Sequence, residues 1–336
     1  MIPLSDIPLA RRDFLCGTGP MAALLLAPAA SLAALPNPGA SRGRWQPNFD
    51  DPKDNVEAYM KLTSTLGDDT VMSWFGGHVF SLVDGQTLKP LMALEGFGVG
   101  SAKRQPDGTF RILWKEVGFY KDLVTGAVLD TWMNPVNGER TQVMHIHNRG
   151  VNSTIAPSFK RVQGGPPGMS EARVENANYR HPDDPNSPFI LPWFQVADTV
   201  SVWMDVSAVL PNPLPPKEWP RESSGATIRI AEQTLNTAKL ADFSDPALSS
   251  VDYVGAWNRF SPWLPWMLMG GRPGGLFFRS ATRRIRSHEQ LPRALLDYTA
   301  KHYAEFLDPH VDPNRKNESS WEVFKKERRP APVKSG

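Results

Sequence analysis

Four dipeptides that end in glycine separate apolar runs in the first half of the chain, and they constrain the fold more than any other feature. They are Asp84-Gly85, Asp107-Gly108, Thr125-Gly126 and Asn137-Gly138. Such steps between apolar runs are a strong local signal for β-hairpins, because glycine takes the positive φ of a tight turn. The spacing predicts a meander of antiparallel strands. The sequence has neither a glycine-rich phosphate loop nor alternating β–α units, which argues against a nucleotide-binding fold.

The same β-rich pattern extends over most of the chain. Predicted strands cover residues 71–75, 78–82, 88–98, 110–119, 194–206, 226–233, 250–260 and 275–286. Helical spacing of apolar residues predicts one helix over 53–68 and another over 287–306. We therefore expect a single, mainly β domain over 35–324: an antiparallel, lipocalin-like β-barrel with an N-terminal and a C-terminal helix packed against it.

The first 34 residues resemble a twin-arginine export signal. Arg11 and Arg12 precede an apolar run that begins at Met21, and Ser31-Leu32-Ala33 fits the small-residue rule for cleavage. The apolar run is shorter than the about 20 residues that a membrane span needs, so no membrane span is expected. The sequence thus predicts a signal peptide over 1–34 and a periplasmic protein.

Cysteine usage and charge narrow the functional classes. Cys16, in the predicted signal, is the single cysteine of the chain. The mature protein therefore lacks thiolates for an iron–sulfur cluster, a c-type haem or a disulfide. A formal net charge of +2, partly due to a basic segment at 325–336, does not favour nucleic-acid binding. We expect that segment to be a disordered tail.

A Pro/Gly-rich excursion over residues 152–192 interrupts the strand pattern. Long irregular segments inside a domain are usually functional or disordered. A lid over a cavity and an arm that grips a second subunit both suit this composition. The sequence does not rank the two, and the oligomeric state, including a homodimer, stays open.

Two histidines, His145 and His147, form a His-x-His pattern. On a strand they would share a face about 7 Å apart, as an acid–base pair or as two ligands of a divalent metal. A third ligand, for example His78, Glu95 or Glu116, would have to come from another strand. A purely structural hydrogen-bonded pair is an equally open interpretation.

Aromatic and carboxylate side chains alternate in a second set, which is typical of a ligand pocket. The set consists of Trp114, Glu116, Tyr120, Asp122, Asp130, Trp132 and Asn134. An apolar wall binds a ligand, and desolvation raises a nearby carboxyl pKa toward acid–base strength. The alternative is that the tryptophans are core and that the polar members bond the backbone of turns.

A third set lies late in the chain, where Trp257, Arg259, Trp263 and Trp266 fall within ten residues around a proline. Arg259 would bind a carboxylate or stack on an aromatic ring. It would equally form a structural ion pair with Glu95 or Asp252.

Several segments together resemble the family called domain of unknown function 1838. These segments are Trp74-Phe75-Gly76-Gly77-His78-Val79-Phe80, Glu95-Gly96-Phe97, residues 120–126, Leu129-Asp130-Thr131-Trp132-Met133-Asn134-Pro135, residues 257–267 and Asn317-Glu318-Ser319-Ser320-Trp321. The resemblance spans nearly the whole mature chain and implies the β-rich fold and export. It implies no reaction.

The leading hypothesis is a periplasmic enzyme that acts on a small apolar or aromatic molecule by cofactor-free acid–base chemistry, as an isomerase, lyase or hydratase. Its expected catalytic residues are His145, His147, Glu116 and Asp130. Its expected ligand-binding residues are Trp74, Trp114, Tyr120, Trp132, Asn134, Trp257, Arg259 and Trp263, with Arg259 anchoring an anionic group.

Two alternatives remain: a lipocalin-like carrier without catalysis, and a mononuclear metal enzyme built on the His-x-His pair. A histidine pair that faces away from the cavity would favour the carrier. Motifs for serine or cysteine nucleophiles and for zincin proteases are absent from the sequence.

Overall fold

Long antiparallel strands account for most of the ordered backbone in the computed structural model, which describes residues 46–158, 174–175 and 188–332. These residues belong to one compact unit, Arg44–Gly336. The predicted signal at 1–34 lies outside the described residues, as do 159–173 and 176–187 of the predicted excursion.

The strands are more numerous than the sequence predicts, and the two predicted over 71–75 and 78–82 form one continuous strand. In chain order they are β1 (Val71–Leu82), β2 (Lys89–Arg104), β3 (Phe110–Lys121), β4 (Thr131–Met133), β5 (Arg140–Gln142), β6 (Ile146–Asn148), β7 (Ser153–Ile155), β8 (Val174–Glu175), β9 (Trp193–Val196), β10 (Thr199–Pro211), β11 (Thr227–Lys239), β12 (Val254–Ser261) and β13 (Gly275–Ile285). The helices are α1 (Pro52–Thr63), α2 (Leu240–Phe243), α3 (Arg293–His302) and α4 (Ser320–Glu327).

The hairpin turns carry the predicted glycine geometry. Gly85, Gly108, Gly126 and Gly138 have φ values of 74°, 81°, 68° and 72°. Residues with a Cβ rarely adopt this region, so the glycines set the turns locally. This is why the antiparallel character of the fold could be predicted from short segments.

One antiparallel sheet carries the fold, in the order β6-β3-β2-β1-β13-β12-β11-β10-β8, with β7 beside β3 and β9 beside β10. The prediction of a mainly β, antiparallel architecture is confirmed. The predicted barrel closure is not found, because no pairing joins the edge strands β6 and β8 within the described residues. These strands have three and two residues, so each offers few ladder hydrogen bonds.

Side-chain packing, not strand pairing, brings the two ends of the sheet together. Phe110 and Ile112 of β3 share one apolar cluster with Val200 and Val202 of β10. These two strands lie at opposite ends of the sheet order. The sheet therefore curls, and its inward face forms a closed interior at this end.

Helix α1 covers that end of the interior. Asp51 accepts hydrogen bonds from the Lys53 and Asp54 backbone N–H groups, and Pro52 occupies the first turn, where its missing N–H costs nothing. The helix is shorter than the predicted 53–68. Beyond its end, the buried Arg284 guanidinium donates to the carbonyls of Leu62 and Ser64, which satisfies acceptors at the helix terminus.

A separate core lies on the outward face of the sheet beneath α3. It includes Met72, Phe97, Phe119 and Leu295. The predicted continuous helix over 287–306 is broken, because 3₁₀ turns at His288–Gln290 and Ala304–Phe306 flank α3. Pro292, at the start of α3, cannot continue a preceding helix.

Helix α4 begins with a capping box in which Ser319 and Glu322 bond each other's backbone N–H groups. It continues to Glu327 and so includes the first residues of the segment that the sequence assigns to a disordered tail. Beyond the helix, the Ala331 N–H donates to Glu222 at 2.6 Å. Among the described helices, none has the length and hydropathy needed to cross a bilayer.

Candidate functional site

A cavity of about 200 Å³ lies on the inward face of the sheet. Its walls come from β1, β3, β6, β11, β12 and β13, with Ser320 of α4 and Leu264 beside them. An apolar core lies on the inward face of the sheet at each end of the cavity. One of these two inward cores is next to α1 and the other is next to α4. The volume is below the about 300–1,000 Å³ of pockets for drug-sized ligands, which points to a small ligand.

The strands change from apolar to polar where they pass the cavity. Alternate residues of β11 point inward, and along this face Ile228 and Ile230 are followed by Glu232, Thr234 and Asn236. The face then returns to the apolar Ala238. Strand β3 repeats the pattern, with Glu116 between Ile112 and Tyr120 on the inward face. The cavity is thus a polar belt between two apolar cores.

Glycines of β2 lie behind the cavity wall and let its aromatic rings pack against the sheet. A Cβ added at Gly98 would lie 2.2 Å from Cζ2 of Trp114, and one at Gly100 would lie 2.7 Å from Cε3 of the same ring. A Cβ at Gly96 would lie 2.5 Å from Cζ of Phe75. Positions 96, 98 and 100 of β2 must therefore lack side chains for these two rings to adopt their observed places.

Glu116 projects into the polar belt from β3. The Asn148 side chain donates to its Oε1 at 2.6 Å. Burial raises the pKa of Glu116 above its usual range and outweighs the opposing hydrogen bond from Asn148. Glu232 raises the pKa further, while Arg259 and a hydrogen bond from Trp114 lower it. The net effect is a carboxyl group biased toward the protonated form.

Arg259 and Glu232 face each other as register partners on β12 and β11. Arg259 Nη1 lies 3.3 Å from Glu232 Oε1. This is neither of the ion pairs considered from sequence: Glu95 pairs with Lys121, and Asp252 pairs with Arg286. Arg259 Nε has no hydrogen-bond partner among the described residues.

Two further cavity atoms are buried without a partner in the described part of the chain, Asn236 Oδ1 and Thr282 Oγ1. A Cβ added at Gly255 would lie 2.4 Å from the first and 2.9 Å from the second. Both atoms therefore pack against Gly255 and occupy the space that a side chain there would need. Buried polar atoms without partners are uncommon in folded proteins, so this part of the cavity suits a ligand's polar group.

Aromatic rings supply the apolar wall. Trp257 lies 6.4 Å from Phe75 and 5.8 Å from Phe278 between ring centroids. Trp114, Tyr120 and Trp257, all predicted ligand-binding residues, line the cavity together with Arg259. Trp74 also borders it, although its indole N–H donates to Glu95 at 3.1 Å.

Three predicted ligand-binding residues lie elsewhere. Trp132 and Trp263 are packed in the apolar core at the α4 end. Asn134 is fully buried, donates to the Met267 carbonyl at 2.9 Å and accepts from the Val136 N–H. It therefore orders a turn, which is the alternative that the sequence left open for it.

Neither histidine of the pair lines the cavity, although His145 stacks on the cavity residue Tyr120 and lines a small adjoining pocket. His145 packs edge-on against Phe119, with Tyr298 and Tyr303 nearby on the α3 side. Its Nδ1 accepts from the Tyr120 N–H at 3.2 Å, which places the proton of the neutral ring on Nε2.

The second histidine, His147, has both ring nitrogens engaged. Nδ1 lies 2.7 Å from the His145 carbonyl and Nε2 lies 3.1 Å from Glu327 Oε1. In the described residues, no group of three or more His, Cys, Asp or Glu side chains is arranged to hold a metal ion.

The last expected catalytic residue, Asp130, is exposed and accepts a hydrogen bond from the Tyr298 hydroxyl. Of the four expected catalytic side chains, Glu116 is thus the one that lines this cavity. The structure does not bring Glu116 together with His145, His147 or Asp130.

Sequence reasoning missed Glu232, Asn236, Asn148 and Thr282. A usable signal was present in β11, where polar residues at 232, 234 and 236 interrupt an otherwise apolar inward face. Polar residues on one face of a strand indicate a cavity only if that face is known to point into the protein. The sequence alone did not show which face of β11 points inward.

A family match spans the strands that build this site. Residues 67–328 match the family described as "Protein of unknown function (DUF1838)". The chain belongs to the DUF1838 family. The match includes every strand that lines the cavity, so the resemblance noted from sequence is confirmed. No curated protein sequence matches the chain.

Replacing Gly98 by alanine tests the glycine wall. The new Cβ would lie 2.2 Å from the Trp114 ring, so the ring must move. We expect a loss of about 1–3 kcal/mol in the free energy of unfolding, measured by urea denaturation. The control is Gly271→Ala, because a Cβ there meets nothing within 4 Å. An unchanged Gly98→Ala protein would contradict this account of the wall.

Acid should destabilise the fold through His145. Burial lowers its pKa from 6.5 to about 4, against a raising effect of Asp130, while His147 and His302 lower it further. The unfolded chain therefore binds this proton first, and folding stability falls as pH drops from about 6.5 to about 4, by about 3 kcal/mol.

The matched variant is His145→Asn, which keeps an acceptor for the Tyr120 N–H but does not titrate. Urea unfolding at several pH values in this window should show a steeper loss for the wild type than for the variant. Equal pH dependence in the two proteins would exclude the effect.

Proposed function

We propose that the cavity binds a small, largely apolar or aromatic molecule and transfers a proton to or from it without a cofactor. The proposal rests on one observation: Glu116, with a raised pKa, shares an aromatic-lined cavity with the Glu232–Arg259 ion pair. Two carboxyl groups in different environments are a common basis for separate acid and base roles. Isomerase, lyase or hydratase chemistry fits such a pair.

The roles follow from the surroundings of each group. Glu116 is the proton donor, because burial favours its neutral form. Glu232, held beside the Arg259 guanidinium, is the corresponding base. The free Nε of Arg259 is the hydrogen-bond donor to an oxygen on which negative charge develops. Glu232 thus takes the role that the sequence assigned to a histidine.

A carrier function is the second candidate, and the position of the histidine pair favours it. Neither His145 nor His147 is among the residues that line the cavity, so the pair adds no acid–base group to its wall. In this alternative the curled sheet acts in a lipocalin-like way and holds an apolar ligand between its two inward cores. The polar belt would then determine which ligand binds and would take no part in catalysis.

A mononuclear metal enzyme based on His145 and His147 has less support. Both histidines hydrogen-bond to protein groups: His145 to the Tyr120 N–H, and His147 to a carbonyl and to Glu327. Metal binding would require the imidazoles to leave these partners.

Glu116→Gln separates catalysis from carriage. The amide keeps an acceptor for Asn148 but cannot release a proton, so proton transfer should fall by about 10²–10⁴-fold. The assay is solvent-deuterium exchange at carbons next to the carbonyl of small aryl ketones, followed by NMR. Glu289→Gln, an exposed carboxylate outside the cavity, is the control.

Each outcome of that assay has a distinct meaning. Exchange that requires Glu116 supports the enzyme. Ketone binding without catalysed exchange supports the carrier, and wild-type exchange rates in Glu116→Gln would contradict the role of Glu116.

We also propose export by the twin-arginine route to the periplasm, on the basis of Arg11 and Arg12. Changing both to lysine should leave the uncleaved precursor in the cytoplasm. Mass spectrometry of cell fractions measures this directly. Lysine at Arg42 and Arg44 is the matched control and should leave export unchanged. Periplasmic mature protein from the Arg11/Arg12 variant would show that another signal operates.

A further inference from the structure

The charges in the cavity argue against a charged ligand. Glu232 already pairs with Arg259 at 3.3 Å, so the guanidinium is not free to neutralise an incoming anion. An anionic group placed beside Arg259 would also lie beside Glu232, and two like charges this close together repel each other. A cationic ligand would meet the guanidinium instead.

The unpartnered polar atoms define what the ligand must supply. Arg259 Nε is a buried donor without an acceptor, and Asn236 Oδ1 is a buried acceptor without a donor in the described residues. Asn236 is 3% exposed, so bulk water reaches little of it. A ligand that satisfies both atoms carries one acceptor and one N–H or O–H donor.

The apolar wall and the volume limit the size and shape of the ligand. Phe75, Trp257 and Phe278 form a continuous aromatic surface, with centroid separations of 6.4 and 5.8 Å. Rings of this kind favour offset or edge contacts with another planar ring. The cavity of about 200 Å³ suits one ring with a short substituent rather than a fused or extended ligand.

We propose that the cavity takes a small, uncharged aromatic molecule that bears a carbonyl-type acceptor and an adjacent N–H or O–H donor, as in a primary aromatic amide. This rests on the proposed function in taking the cavity as the ligand site. This uncharged ligand replaces the anionic group that Arg259 was expected from sequence to anchor.

Three isosteric probes test the charge preference: benzamide, benzoate and benzamidine. In ligand-detected NMR titrations of the full mature chain, benzamide should bind at least about tenfold more tightly than either charged probe. Benzoate or benzamidine binding as tightly as benzamide would overturn the proposal. So would the absence of any benzamide binding.

The variant Glu232→Gln tests why anions are rejected. It removes the carboxylate beside Arg259, so benzoate affinity, and with it the ratio of benzoate to benzamide affinity, should rise about tenfold. Glu57→Gln is the control, because Glu57 pairs with Arg104 away from the cavity and the variant changes the net charge equally. Unchanged benzoate affinity in Glu232→Gln would overturn the explanation.

The variant Asn236→Leu tests the donor requirement. It removes the acceptor Oδ1, so benzamide should weaken about tenfold, whereas acetophenone, which has no N–H, should not. Equal losses for both probes would contradict a specific contact. These binding ratios do not depend on proton transfer by Glu116, so they separate failure of this inference from failure of the catalytic proposal.

Discussion

The absence of side chains at three neighbouring inward positions of β2, residues 96, 98 and 100, is the constraint on which the site depends. Gly98 and Gly100 leave room for the Trp114 ring, and Gly96 leaves room for Phe75. Two large rings thereby lie against the sheet instead of filling its interior. The volume that remains between the two inward cores is the cavity, so the glycines shape the site without contacting a ligand.

A polar belt between two apolar cores creates the electrostatic character of this site. The two carboxyl groups in this belt have different surroundings. Glu232 pairs with Arg259, whereas Glu116 is buried and its pKa is raised. This difference is the basis of the acid–base proposal.

The outward cluster of histidines and tyrosines is the clearest contrast with the cavity. His145 and His147 share a side of the chain, as their spacing predicts, but that side packs against Tyr303. Their neighbours Ile146 and Asn148 line the cavity instead. A register shift of one residue would exchange the side chains that face the cavity for those that face outward. The spacing of the residues along the sequence does not show which set faces the cavity.

The sequence by itself determined the local features of this protein: the glycine turns, the antiparallel strands and the family. These features depend on φ preferences and on the alternation of apolar and polar residues within a few positions, so short segments of the sequence are enough to predict them. The tertiary structure decided which strand faces point inward, that the sheet curls without pairing of its described edges, and that Glu116 lies with Glu232 and Arg259. Those outcomes depend on the apolar cluster that residues of β3, β10 and α1 share, and these elements are distant along the chain, so no local pattern encodes their association.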